Sequence, residues 1–208
     1  MWTKNAIKSV LSWVVIFVIC LAGFWSIKEF LMTPTQVSGL SMYPNLDNKE
    51  RVLAFKTASI KRGSVVVFKA EGVDPTQAAN QVYVKRVIGL PGDTVTCSQG
   101  TIYVNNRPIN QAYISKKQQT SGTGNWTFKS LAKKHSWQKN IDAIVVPKNS
   151  YFVLGDNRAI SNDSRFFGFV PRDHIIGVVK APWWANSSNE HRENINKEWK
   201  VFWENQVK

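Results

Sequence analysis

Val82-Tyr83-Val84-Lys85-Arg86-Val87-Ile88-Gly89 is a run of β-branched and aromatic residues halted by Leu90-Pro91-Gly92-Asp93, and it reads as a buried strand. Two cations sit in its middle. An ammonium inside such a strand is costly to desolvate unless it is paired or has lost its proton. A neutral lysine is a base, and a serine beside one is a nucleophile. Alternation places Lys85 with Tyr83 and Val87, and Arg86 with Val84 and Ile88. Both faces are apolar, so parity alone does not say which cation meets a cleft. Arginine does not deprotonate, so only Lys85 can act as the base. A serine in a suitable setting lies upstream, in Val37-Ser38-Gly39-Leu40-Ser41-Met42-Tyr43-Pro44. Glycine and proline bracket Ser41, so the chain is expected to turn there and present the hydroxyl.

Working outward, Val52–Phe55 and Ser64–Phe68 read as strands, the second entered through the turn Lys61-Arg62-Gly63. Glu71–Gln81 is a polar loop. Val95–Val104 predicts a hairpin through Ser98-Gln99-Gly100, and Asn105-Asn106 a further turn. Residues 115–140, rich in Lys, Gln, Ser, Thr and Gly, read as an irregular, mobile lobe. Strands return at Ile144–Val146, Tyr151–Leu154 and Ile175–Lys180. Beyond Asn186 the tail is polar until Trp199, Val201, Phe202 and Trp203, where a short terminal helix packed on the body is expected. The fold class is mainly β.

Val10 to Ile27 carries no charge. Its length is within the range of a spanning helix and exceeds the apolar core of a cleaved leader, and Ala22-Gly23 is followed by more bulky residues. Trp13 and Trp25 lie near its ends, Lys4 and Lys8 before it, Lys28 and Glu29 after it. The expected organisation is a cytoplasmic N-terminus (1–9), a transmembrane anchor (10–27) and an extracytoplasmic β domain (28–208), with an inserted lobe at about 97–147 and a tail at 186–208. Of the net charge of +13, residues 1–33 carry +2, leaving +11 on the folded part. That points to anionic surfaces, membrane lipid above all. No nucleic-acid motif accompanies it, so a basic, membrane-tethered binding module rests on charge alone. Cys20 and Cys97 are not expected to pair. His135, His174 and His191 have no metal-ligand spacing, and no metal or cofactor is expected.

A third stretch, Gly155-Asp156-Asn157-Arg158-Ala159-Ile160-Ser161-Asn162-Asp163-Ser164-Arg165-Phe166-Phe167-Gly168, packs opposite charges densely behind a strand. It reads as a hydrogen-bonded buttress for a neighbouring site. Together the three stretches, with Arg62-Gly63-Ser64-Val65-Val66-Val67-Phe68, resemble the bacterial type I signal peptidase family over roughly residues 10–182. The resemblance implies a signal-peptidase-like β domain behind one membrane anchor. It also implies a serine endopeptidase that cleaves signal peptides from exported preproteins after small residues. By that resemblance Ser41 is the nucleophile and Lys85 its base, and Ser161 hydrogen-bonds and orients the amine. Asp156, Arg158, Asp163 and Arg165 support the site, the last two as an ion pair. Met42, Tyr83 and Val84 are pocket candidates.

Three departures stand out. Gly39 occupies a position where some members carry a hydroxyl donor to the oxyanion, leaving the Ser41 N–H as the expected donor. Ala159 and Ile160 replace Asp and Asn. Ser64 stands where Asp is common, read as a minor surface change. Two rivals remain open: a processing protease of the same family dedicated to one substrate, such as a pilin or conjugation component, and a Ser–His–Asp triad using His174 and Asp156.

Overall fold

The computed structural model describes residues 4–77, 80–120 and 122–203. Met1–Thr3, residues 204–208 and the flanking side chains of Lys4 and Lys28 lie outside that description. Helix α1 (Lys4–Ser26) continues through a π-helical turn at Ile27–Leu31. It is long and apolar enough to cross a membrane, and Leu11, Trp13, Phe17, Phe24 and Trp25 project from it without packing on the body.

The rest is mainly β. Seven strands, β1 (Met32–Gln36), β2 (Arg51–Phe55), β3 (Val65–Lys69), β4 (Val82–Gly89), β5 (Val95–Ser98), β6 (Thr101–Val104) and β7 (Arg107–Pro108), precede a helical stretch. That stretch holds α2 (Lys116–Thr120), β8 (Trp126–Thr127) and α3 (Phe128–His135). Then follow β9 (Ser150–Leu154), α4 (Ser164–Phe167), β10 (Val170–Pro171), β11 (Ile175–Lys180) and α5 (Asn189–Asn196). A seven-stranded antiparallel sheet runs β1-β2-β11-β3-β4-β9-β10, and a four-stranded one runs β7-β6-β5-β8. The deciding strand, β4, is interior: Lys85 lies opposite Val66 of β3, and Arg86 lies between Val65 of β3 and Leu154 of β9. Its faces are covered by different cores. Val84 packs with Val65, Val67, Met42 and Leu46, while Val87 packs with Val66, Phe68 and Val153.

The predicted hairpin forms between β5 and β6, with Gln99 (φ 49°) and Gly100 (φ 80°) at its tip. Asn105 (φ 52°) and Asn106 (φ 63°) turn β6 into β7. Positive φ at both central residues is what such tight turns demand.

Four local expectations are corrected. Residues 115–140 are not a loose lobe: Trp126, Phe128, Leu131, Ala132 and Trp137 join Ile88, Phe152 and Phe169 in one core cluster. The Phe128 ring lies 4.9 Å from Phe152 and 5.0 Å from Phe169. The few apolar residues here are large and spaced for one helix face, which a polar average conceals. Thr127 and Ser130 cap α3 reciprocally. Ile144–Val146 is loop rather than strand, with Ile144 exposed and only Val146 buried. Three apolar residues are too few for a strand here, and Val146 pairs instead with the Gly92-Asp93 turn. The tail's helix falls on the polar stretch 189–196, started by Ser188, and Glu198–Lys200 forms only a 3₁₀ turn. Ser64 is buried, not on the surface; its Oγ accepts from the Lys61 N–H at 3.2 Å and closes the turn into β3.

The lobe's packing predicts that Phe128→Ala costs about 3–5 kcal/mol in denaturant unfolding, the range for a buried aromatic. A loss below about 0.5 kcal/mol, the surface range, would return this segment to a loose lobe.

Candidate active site

Ser41 lies on a turn pinned from both sides. Met42 and Leu46 sink into the core, whereas Leu40 and Tyr43 face solvent. The Ser41 carbonyl accepts from the Asn157 N–H at 3.0 Å. β4 brings Lys85 to the same point: its Nζ donates to Ser41 Oγ at 2.7 Å, although the lysine is only 3% exposed. Burial is the main cause that lowers its pKa to about 8. Asp163, Asp156 and Asp74 pull upward, and Arg165 adds to the lowering.

Arg86 takes the other face and is wholly enclosed. Its Nε and Nη2 donate to the two oxygens of Asp156 at 2.8 and 2.6 Å, and its Nη1 donates to the carbonyls of Gly63 (3.0 Å) and Asn194 (2.9 Å). The Tyr113 ring lies 4.1 Å from the guanidinium. Parity left open which cation meets the serine; the sheet gives Lys85 to Ser41 and Arg86 to a buried carboxylate.

The third stretch wraps behind this pair. Gly155 has no room for a side chain: a Cβ there would collide with Ser161 Oγ and meet the Ser41 carbonyl oxygen at 2.5 Å. The Gly155 N–H donates to Asp163 Oδ2 at 3.0 Å, and its carbonyl accepts from Arg158 Nε at 3.0 Å. Arg158 also reaches Gln111 Oε1 (2.9 Å) and the Tyr113 hydroxyl (2.8 Å). Arg165 grips Asp163 with Nε (2.8 Å) and Nη2 (2.9 Å). Burial alone would raise the Asp163 carboxyl; the Arg165 guanidinium reverses this and holds it below the usual carboxylate range. Ala159 and Ile160 are exposed at the tip, so that departure leaves the buried bonds untouched. Ser161 is buried against this loop, but its hydroxyl makes no hydrogen bond, to Lys85 or to any other described residue.

Among the pocket candidates, Met42 is fully enclosed and Val84 nearly so, which makes them packing residues in this structure. Tyr83 is half-buried, its ring 4.9 Å from Lys85 Nζ and its hydroxyl donating to Asp74 at 2.8 Å. Burial, then the Asp74 carboxylate, pushes that phenol up to about 12. Burial would raise Asp74 itself, but bonds from Thr76, Tyr83 and Asn162 leave it lowered. His174 bonds its neighbour Asp173 at 2.9 Å while Asp156 is committed to Arg86, so these two do not assemble a triad.

Sequence reading missed Asn45, Asp74, Gln111, Tyr113, Asn194 and Glu198. Asn45 Nδ2 donates to Asp156 Oδ2 and to the Tyr113 carbonyl, both at 2.8 Å. Glu198 is buried with Oε1 unpartnered, and burial, partly offset by Arg86, pushes it up to about 7. These residues come from separate elements, and only Asn45, four residues past Ser41, carried a local hint.

The family model "Signal peptidase, peptidase S26" matches residues 10–184. Signal peptidase IB of Staphylococcus aureus (strain COL) is 36% identical over 195 residues, covering 90% of this chain and 96% of its own length. Signal peptidase I S of Bacillus subtilis (strain 168) is 35% identical over 181 residues, 83% of this chain and 88% of its own. Among solved structures, a signal peptidase I from Enterococcus faecalis V583 aligns at a TM-score of 0.46 with 30% identity, covering 58% of this chain and 97% of that one.

Removing one partner of the enclosed pair should be far worse than removing both. Asp156→Ala should cost about 3–5 kcal/mol in unfolding, because it strands the Arg86 charge. Arg86→Met with Asp156→Leu should recover a large part of that loss. A double variant no more stable than Asp156→Ala would contradict the account of the pair.

Proposed function

The chain belongs to the signal peptidase S26 family, and we propose that it is a membrane-anchored serine endopeptidase that releases exported preproteins by cutting their signal peptides after small residues. The observation that carries the reading is the 2.7 Å contact between Lys85 Nζ and Ser41 Oγ, made by an amine that burial holds near pKa 8.

The chemistry follows from that contact. With the amine neutral, the Ser41 hydroxyl donates to its lone pair, and the proton moves to Nζ as Oγ attacks the scissile carbonyl carbon. The negative charge on the carbonyl oxygen is met by the Ser41 N–H, which has no acceptor among the described residues. Collapse of the tetrahedral intermediate breaks the C–N bond, and the Lys85 ammonium returns its proton to the leaving amine. Lys85, neutral again, takes a proton from water as the water oxygen attacks the acyl-Ser41 ester. Regaining that proton, Ser41 Oγ leaves, and the signal peptide departs with a free carboxylate. Asp163 with Arg165, Asp156 with Arg86, and Arg158 hold the loop that fixes the Ser41 carbonyl. Ser161 lies in this loop, and its Oγ and the Ser41 carbonyl oxygen both crowd the Gly155 α-carbon, which supports a place near the reacting groups.

The apolar helix α1 supports anchoring, with the N-terminus in the cytoplasm and the β domain outside. Anchoring raises the effective concentration of a substrate whose own apolar segment lies in the same membrane. The basic body suits an anionic lipid surface.

Ser41→Ala and Lys85→Met should each fold and each abolish cleavage, the double variant being no worse than either alone. Because protonation blocks the base, kcat/KM of the wild type should rise with pH through a limb near the lysine's value of about 8. Near wild-type turnover in Lys85→Met would remove lysine as the base, and so would a limb near 6.5 that vanishes in His174→Ala. For topology, protease added to intact spheroplasts should digest the β domain and spare a tag at Met1; a protected β domain would reverse the orientation.

A further inference from the structure

Helix α5 is badly suited to be ordinary core. Its sequence is Asn-Glu-His-Arg-Glu-Asn-Ile-Asn, and Ile195 is its one buried residue. Burial of a single isoleucine contributes little to holding a helix in place. Hydrogen bonds fix the helix as well: Asn196 exchanges two with Ala181 and accepts one from Lys180 at the end of β11, and a second set reaches the two segments that carry Ser41 and Lys85. Asn194 Nδ2 donates to Asn45 Oδ1 at 2.9 Å, and the Asn194 carbonyl accepts from Arg86 Nη1 at 2.9 Å. Just before the helix, the Ser187 N–H donates to Glu50 Oε1 at 3.2 Å, with the Ser187 hydroxyl donating to the same oxygen. The other oxygen of Glu50 accepts from the Asp47 N–H at 2.8 Å.

These contacts grip the segment 41–50 at two points, Asn45 and Glu50, and grip β4 next to Lys85. Asn45 is fully enclosed and has every side-chain polar atom engaged: its Nδ2 donates to Asp156 and to the Tyr113 carbonyl, and its Oδ1 accepts from Asn194. Removing the Asn194 donor leaves a buried oxygen unpaired, which favours movement of the nucleophile turn. We infer that the segment 187–194, through Asn194 to Asn45 and Ser187 to Glu50, is a positioning element that sets the approach of Ser41 to Lys85. This rests on the Ser41–Lys85 reading proposed above.

The test uses the full-length protein in detergent with a peptide substrate carrying alanine at the first and third positions before the bond. Asn194→Ala, Asn194→Leu and Ser187→Ala are compared with wild type, and rates are normalised to folded protein. A misplacement near an ångström costs up to roughly a hundredfold in rate. The Asn194 variants should therefore lose between roughly ten- and a hundredfold in kcat, with KM changing less than about twofold. Their pH limb should also move upward, because a loosened turn lets water reach the ammonium. The charges facing Lys85, namely Asp163, Arg165, Asp156 and Asp74, are present in every variant. Lys197→Ala breaks an exposed pair with Glu193 on the same helix and should behave as wild type.

A helix that only adds stability would lower the melting temperature while leaving kcat and the limb of the folded enzyme unchanged, and that result overturns the inference. If neither Asn194 variant folds, Ser187→Ala decides by the same two readouts. Ser41→Ala runs alongside: its continued cleavage would defeat the serine reading itself, whereas an inactive Ser41→Ala beside fully active Asn194 variants defeats only the positioning role.

Discussion

Two adjacent cations in an interior strand constrain everything around them. β4 has neighbours on both sides and core on both faces, so neither Lys85 nor Arg86 can reach bulk water. A buried charge persists only if paired and hydrogen-bonded; otherwise it gives up its proton. Each cation takes one of those exits. Arg86 cannot deprotonate, and the four hydrogen bonds it donates satisfy it, two of them to Asp156. Among the described residues the Lys85 amine has no carboxylate in salt-bridge contact and one hydrogen bond, to a hydroxyl, and its pKa falls. Pairing and a depressed pKa thus sit one residue apart, on opposite faces of one strand.

The loop after β9 reconciles the two faces. It supplies Asp156 to the arginine side and, through the Asn157 N–H, holds the Ser41 carbonyl on the lysine side. Gly155 between them must lack a side chain, because Ser161 and the Ser41 carbonyl crowd it. Asp163 receives the Gly155 N–H while Arg165 and Arg158 hold the loop's carbonyls. Such a network is stiff because each buried polar group in it depends on the next. Carboxylates do lie near Lys85, but Asp163 and Asp156 are neutralised by their own arginines, which limits their upward pull on the amine.

Much of this was legible in the sequence. β-branched residues around Lys85 announced the strand, Ser98-Gln99-Gly100 and Asn105-Asn106 announced the two turns, and glycine and proline announced the bend at Ser41. What stayed hidden was long-range. Asn45, Tyr113 and Asn194 meet only because the sheet and α5 bring them together, and no local pattern marks an asparagine as a junction. Segment 115–140 misled for a different reason: polar residues outnumber Trp126, Phe128, Leu131 and Trp137, yet these four bury a face of the core. The terminal tryptophans misled in the opposite direction. Trp199 and Trp203 are covered by the side chains of Lys61 and Arg107, 3.8 and 4.4 Å from their rings, so they need no amphipathic helix.

Burial, rather than a partner base, lowers the Lys85 pKa and brings the amine beside Ser41 within reach of losing its proton. The most direct measurement is a carbon-13 NMR titration of the lysine ε-carbons in the full-length protein, with the Lys85 signal assigned by its loss in Lys85→Met. This resonance should titrate at about 8. A Lys85 signal that titrates near the ordinary lysine value of 10.5 would show that burial does not lower it.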